Sequence, residues 1–289
     1  MKYHHVDVFS DKPFSGNGLT IFINENPLDK SLMQTITQEM RQFESIFLNP
    51  INSDTFRARI FTMEEELDFA GHPIIGATAI VHDLYAKDAS ESKVNFQLNE
   101  KLVTVKTVKH NNHYSAQMNQ GKPEFRNILS KEQEETFLRY FNLLPEDKYD
   151  HLPLQVISTG LPYLIIPVKS KSLAKVKVTI PDLEEKLQEV NAKFFYVLDT
   201  ENLEGRTWDN FGLVEDIATG SAAGPAGAYL VQNQLVNIDT EIILNQGSFL
   251  GRPSKMKIIV NGTNVEESEI YVEGDVCKIA VGELFQFER

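Results

Sequence analysis

Four side chains combine the chemistry of proton transfer with positions at the predicted start of a helix or strand. Glu44, in "MRQFESIFL", follows an amphipathic segment and precedes an apolar run at 46–48. His72 lies in "FAGHP", and Asp216 and Ser221 lie in "EDIATGSAAGPAGAYL". Carboxylates and imidazoles commonly serve as general acids and bases, and an ionised carboxylate is costly to bury among apolar residues. These four residues are therefore candidates for a proton-transfer site.

The same residues also have purely structural interpretations. A single histidine such as His72 is commonly a satisfied buried side chain, and Asp216 could cap a helix. Ser221 could bond to nearby backbone, and Glu44 could face solvent at the start of a strand. Residue type and position alone leave both interpretations open.

Small residues mark the two places where the chain enters an apolar helix, in "FAGHP" and in "ATGSAAG". The first N–H groups of a helix have no internal partners and carry the positive end of its dipole. Near Gly71, and near Thr219 and Gly220, small side chains would leave these N–H groups accessible to an anion such as a carboxylate. Close helix packing also requires small residues, so the sequence does not decide between a binding site and a packing contact.

The periodicity of the chain predicts many short strands and few helices. Three amphipathic patterns predict surface helices: "DKSLMQTITQEMRQF", "SKEQEETFLRYFNLL" and "PDLEEKLQEVNAK". Two further segments, "HPIIGATAIVHDLY" and "GPAGAYLVQNQL", have no polar face and predict buried helices. Strand groups interrupted by so few helices do not fit the regular rhythm of a doubly wound fold. The fold class is therefore α/β (α+β), with mixed sheets.

Several residues in the first part of the sequence recur in the second part, each at the same separation along the chain and without a gap. The shared order is an apolar strand, a strand containing arginine, an acidic residue, a glycine and a small-residue helix. We predict two homologous halves, 1–118 and 125–289, joined by "QGKPEFRN", each with a mixed sheet or barrel wrapped around a central buried helix. The extreme C-terminal strands are candidates for completing the first half. Matching positions are Phe47 and Tyr196, Arg57 and Arg206, Glu66 and Glu215, Gly71 and Gly220, Ala77 and Ala226, and Ala79 and Ala228.

Composition excludes several classes of function. The formal net charge of −13 disfavours nucleic acid or an anionic membrane as a partner. The one cysteine, Cys277, cannot form an internal disulfide, and the N-terminal segment lacks an apolar signal region, so we expect a cytoplasmic protein. No metal-ligand spacing or nucleotide-binding loop is present, so we expect no cofactor. The run "MEEELD" is interpreted as a solvated charge run.

Six stretches in the same order resemble the phenazine-biosynthesis PhzF-like family along nearly the whole chain. They are "DVFSDKPFSGNGLTIFI", "MRQFESIFL", "RIFTMEEELDFAGHPIIGATA", "ISTGLPYLIIPV", "VEDIATGSAAGPAGAYL" and "QGSFLGRPSKM". The resemblance implies the diaminopimelate-epimerase-like fold of two pseudo-symmetric α/β halves with the site in the cleft between them. It also implies a homodimer and a cofactor-independent isomerase that moves a proton.

The resemblance further assigns roles by position. Glu44 falls on the family's general acid/base, His72 on its Gly-His-Pro histidine, and Asp216 and Ser221 on its Asp-x-x-Thr-Gly-Ser motif. Related epimerases place a cysteine at each helix start, and this sequence has neither. Racemisation by two thiols is therefore not expected.

Taken together, these observations predict an isomerase that shuttles a proton on a small anionic, carboxylate-bearing metabolite. Glu44 would move the proton, the other three candidates would orient the substrate or assist, and Gly71, Thr219 and Gly220 would hold anionic oxygens. Both helix starts are expected to face one interdomain cleft. Two alternatives stay open: a non-catalytic binding or interaction protein on the same scaffold, and an epimerase that uses a carboxylate base at one carbon.

Overall fold

Sixteen strands and six α-helices are formed by residues 1–99 and 101–285, which are the residues that the computed structural model describes. The strands are β1 (Lys2–Val8), β2 (Asn17–Ile23), β3 (Glu44–Pro50), β4 (Thr55–Thr62), β5 (Glu66–Leu67), β6 (Glu91–Gln97), β7 (Leu102–Lys109), β8 (Tyr114–Gly121), β9 (Glu124–Ile128), β10 (Gln155–Ser158), β11 (Pro162–Val168), β12 (Phe194–Asp199), β13 (Glu204–Arg206), β14 (Glu241–Gln246), β15 (Ser254–Asn261) and β16 (Glu269–Glu283). The helices are α1 (Lys30–Met40), α2 (Gly71–Tyr85), α3 (Lys131–Tyr140), α4 (Ser170–Leu173), α5 (Leu183–Glu189) and α6 (Gly220–Gln232).

The chain divides into two units. Unit 1 contains Met1–Asn119 together with the residues from Glu273 onward, and unit 2 contains Gln120–Val272. The helices that the sequence predicts all form, but α1 ends at Met40, so Phe43 lies outside it. None of the helices in the described part of the chain is long and apolar enough to span a bilayer.

Unit 1 is built on a closed barrel. Its strands follow the order β1-β2-β3-β4-β6-β7-β8-β16, and β16 pairs back onto β1, with Lys2 opposite Glu283. Strands β2 and β3 are parallel, as are β4 and β6. Parallel neighbours need a crossover connection, and α1 and α2 provide these two crossovers.

Helix α2 is the core of this barrel. Every residue from 71 to 82 is buried, and the helix packs against β1, β2, β3, β6 and β7. A methyl group added at Gly76 would lie 2.6 Å from a methyl of Leu19 and 2.8 Å from one of Val8. The glycine therefore lets the helix approach the barrel wall closely, as the packing interpretation of the small residues requires.

Unit 2 repeats this order of connections. Strands β11 and β12 are parallel and joined through α4 and α5, and β13 and β14 are parallel and joined through α6. Residues 220–230 of α6 are all buried, and the helix packs against β10, β11, β12 and β15. A methyl group added at Gly227 would lie 2.6 Å from a methyl of Ile258. Both small-residue helices are thus central helices with close packing contacts.

Local structure departs from the sequence-based expectations at three places. The linker "QGKPEFRN" is mostly strand, because β8 ends at Gly121 and β9 begins at Glu124. The extreme C-terminal strands expected from the sequence, at 269–274 and 277–282, are one continuous strand, β16. The run "MEEELD" is only partly solvated, since the side chain of Glu66 is 7% exposed and paired with Arg59.

Candidate active site

Glu44 is the first residue of β3 and lies inside the barrel of unit 1. The chain leaves α1 through Arg41, whose φ of 57° is left-handed, and then enters β3. There Glu44 lies between β2 and β4, opposite Leu19 on one side and Thr62 on the other. Central placement in the sheet explains why Glu44 is only 6% exposed. The structure therefore rejects the solvent-facing interpretation of this residue.

His72 is the second residue of α2 and lies against Glu44. Its Nδ1 is 2.9 Å from Oε2 of Glu44, and both side chains are less than a tenth exposed. The distance is short, but the contact does not meet the geometry of a hydrogen bond. Within the described part of the chain, Oε2 of Glu44 therefore has no aligned hydrogen bond. We refer to these two residues as the Glu44–His72 pair.

In unit 2, Asp216 and Thr219 form a tight turn before α6. The Thr219 hydroxyl donates to Oδ2 of Asp216 at 2.5 Å, and the Asp216 N–H donates to the Thr207 carbonyl at 3.0 Å. Thr219, not Asp216, is the N-cap residue of α6, and its side chain makes no capping bond to the helix. Asp216 thus lies three residues before the N-cap position of α6.

The side chain of Gln246, at the end of β14, binds this turn. Its Oε1 accepts from the Thr219 N–H and from the Tyr196 hydroxyl, at 3.1 and 2.9 Å. Its Nε2 donates to the Asp216 carbonyl at 2.8 Å and to the Thr219 hydroxyl oxygen at 3.0 Å. We call Asp216, Thr219, Gln246 and Tyr196 the α6 network.

Tyr196 is a permanent donor in the α6 network. Complete burial, with further contributions from the nearby Asp216 and Tyr163, raises the pKa of Tyr196 well above its usual value of 10. The phenol therefore keeps its proton at any physiological pH and donates it to Gln246. The ring crosses Gly205, where an added methyl group would come within 2.1 Å of it.

Ser221 and Gly220 are held by two other side chains of unit 2. The Ser221 hydroxyl is 2.7 Å from the Tyr163 hydroxyl, and both residues are buried. Gln120 donates to the Gly220 carbonyl at 2.8 Å and accepts from the Thr159 hydroxyl at 3.0 Å. Ser221 thus contacts a side-chain hydroxyl rather than the backbone bond that its structural interpretation predicts.

An Arg–Glu pair precedes each central helix. Nε and Nη2 of Arg59 donate to Glu66 at 2.7 and 2.8 Å, and Arg206 binds Glu215 through the same atoms at the same distances. The hydrogen bond from Arg59 is the main cause that lowers the pKa of Glu66 to about 2. The arginine of unit 1 is thus Arg59, whereas the sequence repeat matches Arg57 with Arg206.

Each unit brings together the candidate residues that belong to it. Unit 1 places Gly71 and His72 on the first turn of α2 next to Glu44, and unit 2 places Thr219, Gly220 and Ser221 at the start of α6. The expectation that both helix starts face one cleft stays a prediction. Within residues 1–99 and 101–285, no group of three or more His, Cys, Asp or Glu side chains is placed to hold a metal ion.

Sequence reasoning missed Tyr163, Tyr196, Gln120 and Gln246 as neighbours of the site. Two of them lie in family-like stretches, Tyr163 in "ISTGLPYLIIPV" and Gln246 in "QGSFLGRPSKM". A buried tyrosine or glutamine within such a stretch is the signal that would have found them, because polar groups in a core need specific partners.

Solved structures that are described as epimerases share the fold of this chain. A hydroxyproline epimerase from Agrobacterium vitis has the same fold, with a TM-score of 0.67 at 11% identity over 98% of this chain and 91% of that one. A structure described as a predicted epimerase from Pseudomonas aeruginosa is closer, with a TM-score of 0.94 and 42% identity over 99% of both chains. The expected epimerase-like fold is thereby confirmed.

Residues 6–282 match the family model described as phenazine biosynthesis-like protein, and the chain belongs to this family. An uncharacterized isomerase of Clostridium acetobutylicum is 29% identical over 97% of both chains. The trans-2,3-dihydro-3-hydroxyanthranilate isomerase of Pseudomonas aeruginosa is 29% identical over 98% of this chain and 99% of its own length. The protein is accordingly an isomerase that acts on a small metabolite, and the non-catalytic alternative is set aside.

Proposed function

We propose that this isomerase moves a proton on a carboxylate-bearing metabolite by general acid/base catalysis, with Glu44 as the group that carries the proton. The observation that supports this most directly is the Glu44–His72 pair. A buried carboxylate oxygen without an aligned hydrogen bond is energetically costly. Such a cost is typical of a group kept for chemistry rather than for stability.

In the proposed reaction, the Glu44 carboxylate takes a proton from a substrate carbon, and the C–H electron pair moves into the adjoining unsaturated system. Glu44 exchanges this proton with the solvent and then delivers a solvent proton to another carbon, which restores the carboxylate and leaves the atoms of the substrate unchanged in number. His72 orients Glu44 or hydrogen-bonds the substrate, since its Nδ1 is 2.9 Å from the carboxylate.

The residues at the start of α6 are proposed to bind the same substrate. Asp216 and Ser221 would orient it, and the N–H groups at Gly71 and Gly220 would bind its anionic oxygens. The N–H of Thr219 already donates to Gln246 at 3.1 Å, so Thr219 is proposed to act through its contact with Asp216 instead. Neither central helix uses its N-cap side chain to bond its own first turn, which supports binding by these N–H groups. The trans-2,3-dihydro-3-hydroxyanthranilate isomerase of P. aeruginosa also supports an anionic substrate, because an anthranilate carries a carboxylate.

A second candidate reaction is epimerisation, in which the proton leaves and returns at one carbon. The description of the P. aeruginosa structure at 42% identity as an epimerase favours it. The two reactions differ in the position at which solvent deuterium enters the product.

The test is proton exchange with the solvent. Wild-type protein in D₂O is incubated with trans-2,3-dihydro-3-hydroxyanthranilate and with a panel of small amino and hydroxy acids, followed by NMR and mass spectrometry. We expect one deuterium in the product, and Glu44→Gln should lower turnover by about 100- to 10,000-fold. The substitution keeps the size of the side chain, so folding and ligand binding should persist.

The matched control is Glu66→Gln, the same change at another largely buried glutamate of unit 1. This variant loses the pair with Arg59 and should be less stable, but it should retain turnover below its unfolding temperature. Full activity in Glu44→Gln, or loss of activity only through unfolding, would refute the role of Glu44. Deuterium at the original carbon would identify the epimerase reaction.

A further inference from the structure

Gln246 uses all of its hydrogen-bonding capacity at the entry of α6. Only 2% of the residue is exposed, and it makes two hydrogen bonds through the amide oxygen and two through the amide nitrogen. A side-chain amide offers two donors and two acceptor sites. The protein thus satisfies every one of them with residues of unit 2.

The direction of the Gln246 amide is fixed by two backbone groups. The Thr219 N–H can only donate, and it faces Oε1; the Asp216 carbonyl can only accept, and it faces Nε2. Turning the amide over would place donor against donor and acceptor against acceptor. The amide nitrogen must therefore also be the donor to the Thr219 hydroxyl oxygen.

This direction determines the hydrogen bond to Asp216. A threonine hydroxyl has one proton, and its oxygen already accepts from Gln246, so the proton is directed to Oδ2 of Asp216 at 2.5 Å. Oδ2 of Asp216 is then a hydrogen-bond acceptor. We propose that Gln246 is a positioning residue that holds Asp216 as a fixed hydrogen-bond acceptor through Thr219.

Two glycines let Gln246 take this position. Gly205 leaves room for the ring of Tyr196, whose hydroxyl donates to Gln246. Gly247 has a left-handed φ of 84°, and a methyl group there would lie 2.3 Å from the Arg252 carbonyl oxygen and 2.7 Å from that of Ile217. The backbone after Gln246 therefore passes directly beside the Asp216–Thr219 turn.

The inference rests on the proposed function only in that Asp216 acts on the substrate. The test replaces Gln246 by Met, which keeps length without hydrogen bonds, and by Glu, which keeps the shape but loses both amide donors. Each variant is made in the wild-type and in the Asp216→Asn background. With the substrate found by deuterium exchange, we expect kcat/KM to fall about 100-fold in the wild-type background, as for a misplaced catalytic group.

In the Asp216→Asn background, the same Gln246 substitutions should lower kcat/KM by less than about two-fold below that of Asp216→Asn alone. The reason is that the effects of residues that act as a unit are not additive. Equal losses in both backgrounds would show that Gln246 acts independently of Asp216 and would overturn the proposal. If the Gln246 variants unfold, a milder change is used instead. Tyr196→Phe removes one of the four hydrogen bonds of the Gln246 amide. Its matched control is Tyr229→Phe, which removes a buried hydroxyl bonded to the Pro153 carbonyl at 2.8 Å.

Tyr196→Phe should lower kcat/KM, and Tyr229→Phe should not; an equal effect of the two would contradict the proposal. Should the wild type exchange no substrate, the proposed function has failed, and crystal structures of the variants still test the positioning role. Loss of the Thr219–Asp216 contact in Gln246→Met supports it. An unchanged contact in that variant overturns it.

Discussion

The entries of α2 and α6 share a backbone plan but carry different chemistry. Each follows a bidentate Arg–Glu pair and leads into a buried helix that bridges two parallel strands. At α2, an acid on a neighbouring strand meets a histidine on the helix. At α6, the equivalent place holds an aspartate tied to hydroxyl and amide groups.

The difference concerns how well each carboxylate is satisfied. Oδ2 of Asp216 accepts a short hydrogen bond from Thr219, whereas Oε2 of Glu44 lies near His72 without an aligned bond in the described residues. A firmly bonded carboxylate is suited to hold a substrate, and a poorly bonded one is suited to exchange a proton. The roles proposed above differ in the same way, with Asp216 holding the substrate and Glu44 carrying the proton.

The Arg–Glu pairs offer the largest test of this comparison. Arg206 is held between the rings of Trp208 and Phe249, and no second cation contacts Glu215 within the described chain. Glu66 has a second cation, Lys30, at 3.1 Å. Arg206→Met should therefore cost about 3 kcal/mol, the loss expected when a buried partner is stranded, and Arg59→Met about 1 kcal/mol.

Urea unfolding at pH 7 measures both variants. The double variant Arg206→Met/Glu215→Gln should recover part of the loss, because it leaves no isolated buried charge. Equal losses at Arg59 and Arg206 would remove the distinction between the two pairs.

Packing of the two helices gives a smaller test. An added methyl at Gly76 meets Leu19, Val8 and Val6 within 3.2 Å, whereas at Gly227 only Ile258 lies so close. Gly76→Ala should destabilise by about 1–3 kcal/mol through overpacking, less the gain of about 1 kcal/mol in helix propensity. Gly227→Ala should be close to neutral.

Thermal unfolding measures this difference, and Leu19→Val provides the control. Shortening Leu19 makes room for the new methyl group, so the Gly76→Ala/Leu19→Val variant should lose less than the sum of its parts. Additive losses would mean that Gly76 is not limited by the barrel wall.

The loss of stability in acid should differ least between the two units. The bond from Arg59 lowers the pKa of Glu66 from 4.5 to about 2. In unit 2, burial by itself would raise the pKa of Asp147. Hydrogen bonds from Lys175, the Leu144 N–H and Ser172 outweigh burial and lower this pKa from 3.8 to about 2. Each depressed pKa contributes stability that is present above the ordinary value and is lost as pH falls towards 2, by at most about 3 kcal/mol for Glu66 and about 2 kcal/mol for Asp147.

Melting temperatures between pH 6 and pH 2 measure this effect. Glu66→Gln and Asp147→Asn should each flatten the acid limb of the profile while lowering stability at pH 6. A profile unchanged by either variant would show that the carboxyl in question is not linked to folding.

The sequence predicts the long elements because their periodicity is strong. Both buried helices, the amphipathic ones and the β-rich mixed fold follow from it, whereas short strands such as β5 and β13 carry too few residues to show a period. The strand β9 was hidden by a proline and charges that are typical of a loop. The homodimer and the cytoplasmic location stay predictions.

The candidate site was predictable where chemistry is local. Glu44 and His72 stand out by type and setting, and their contact joins a strand to a helix across 28 positions. The partners of Asp216 were not predictable, because Gln246 reaches it through a sheet register that no single segment encodes. The shift from Arg57 to Arg59 shows the same limit: a repeat in sequence does not ensure an identical register.

Strand β16 also has a consequence for how the protein is made. Lys2 at the start of β1 pairs with Glu283, so the barrel of unit 1 has an open seam until those late residues emerge from the ribosome. At about 5–20 residues per second, nascent β1 waits on the order of tens of seconds for its second neighbour. During that interval its free edge is available to other chains. Folding in the cell is therefore exposed to mispairing at this edge, and a chaperone that shields β1 would act there.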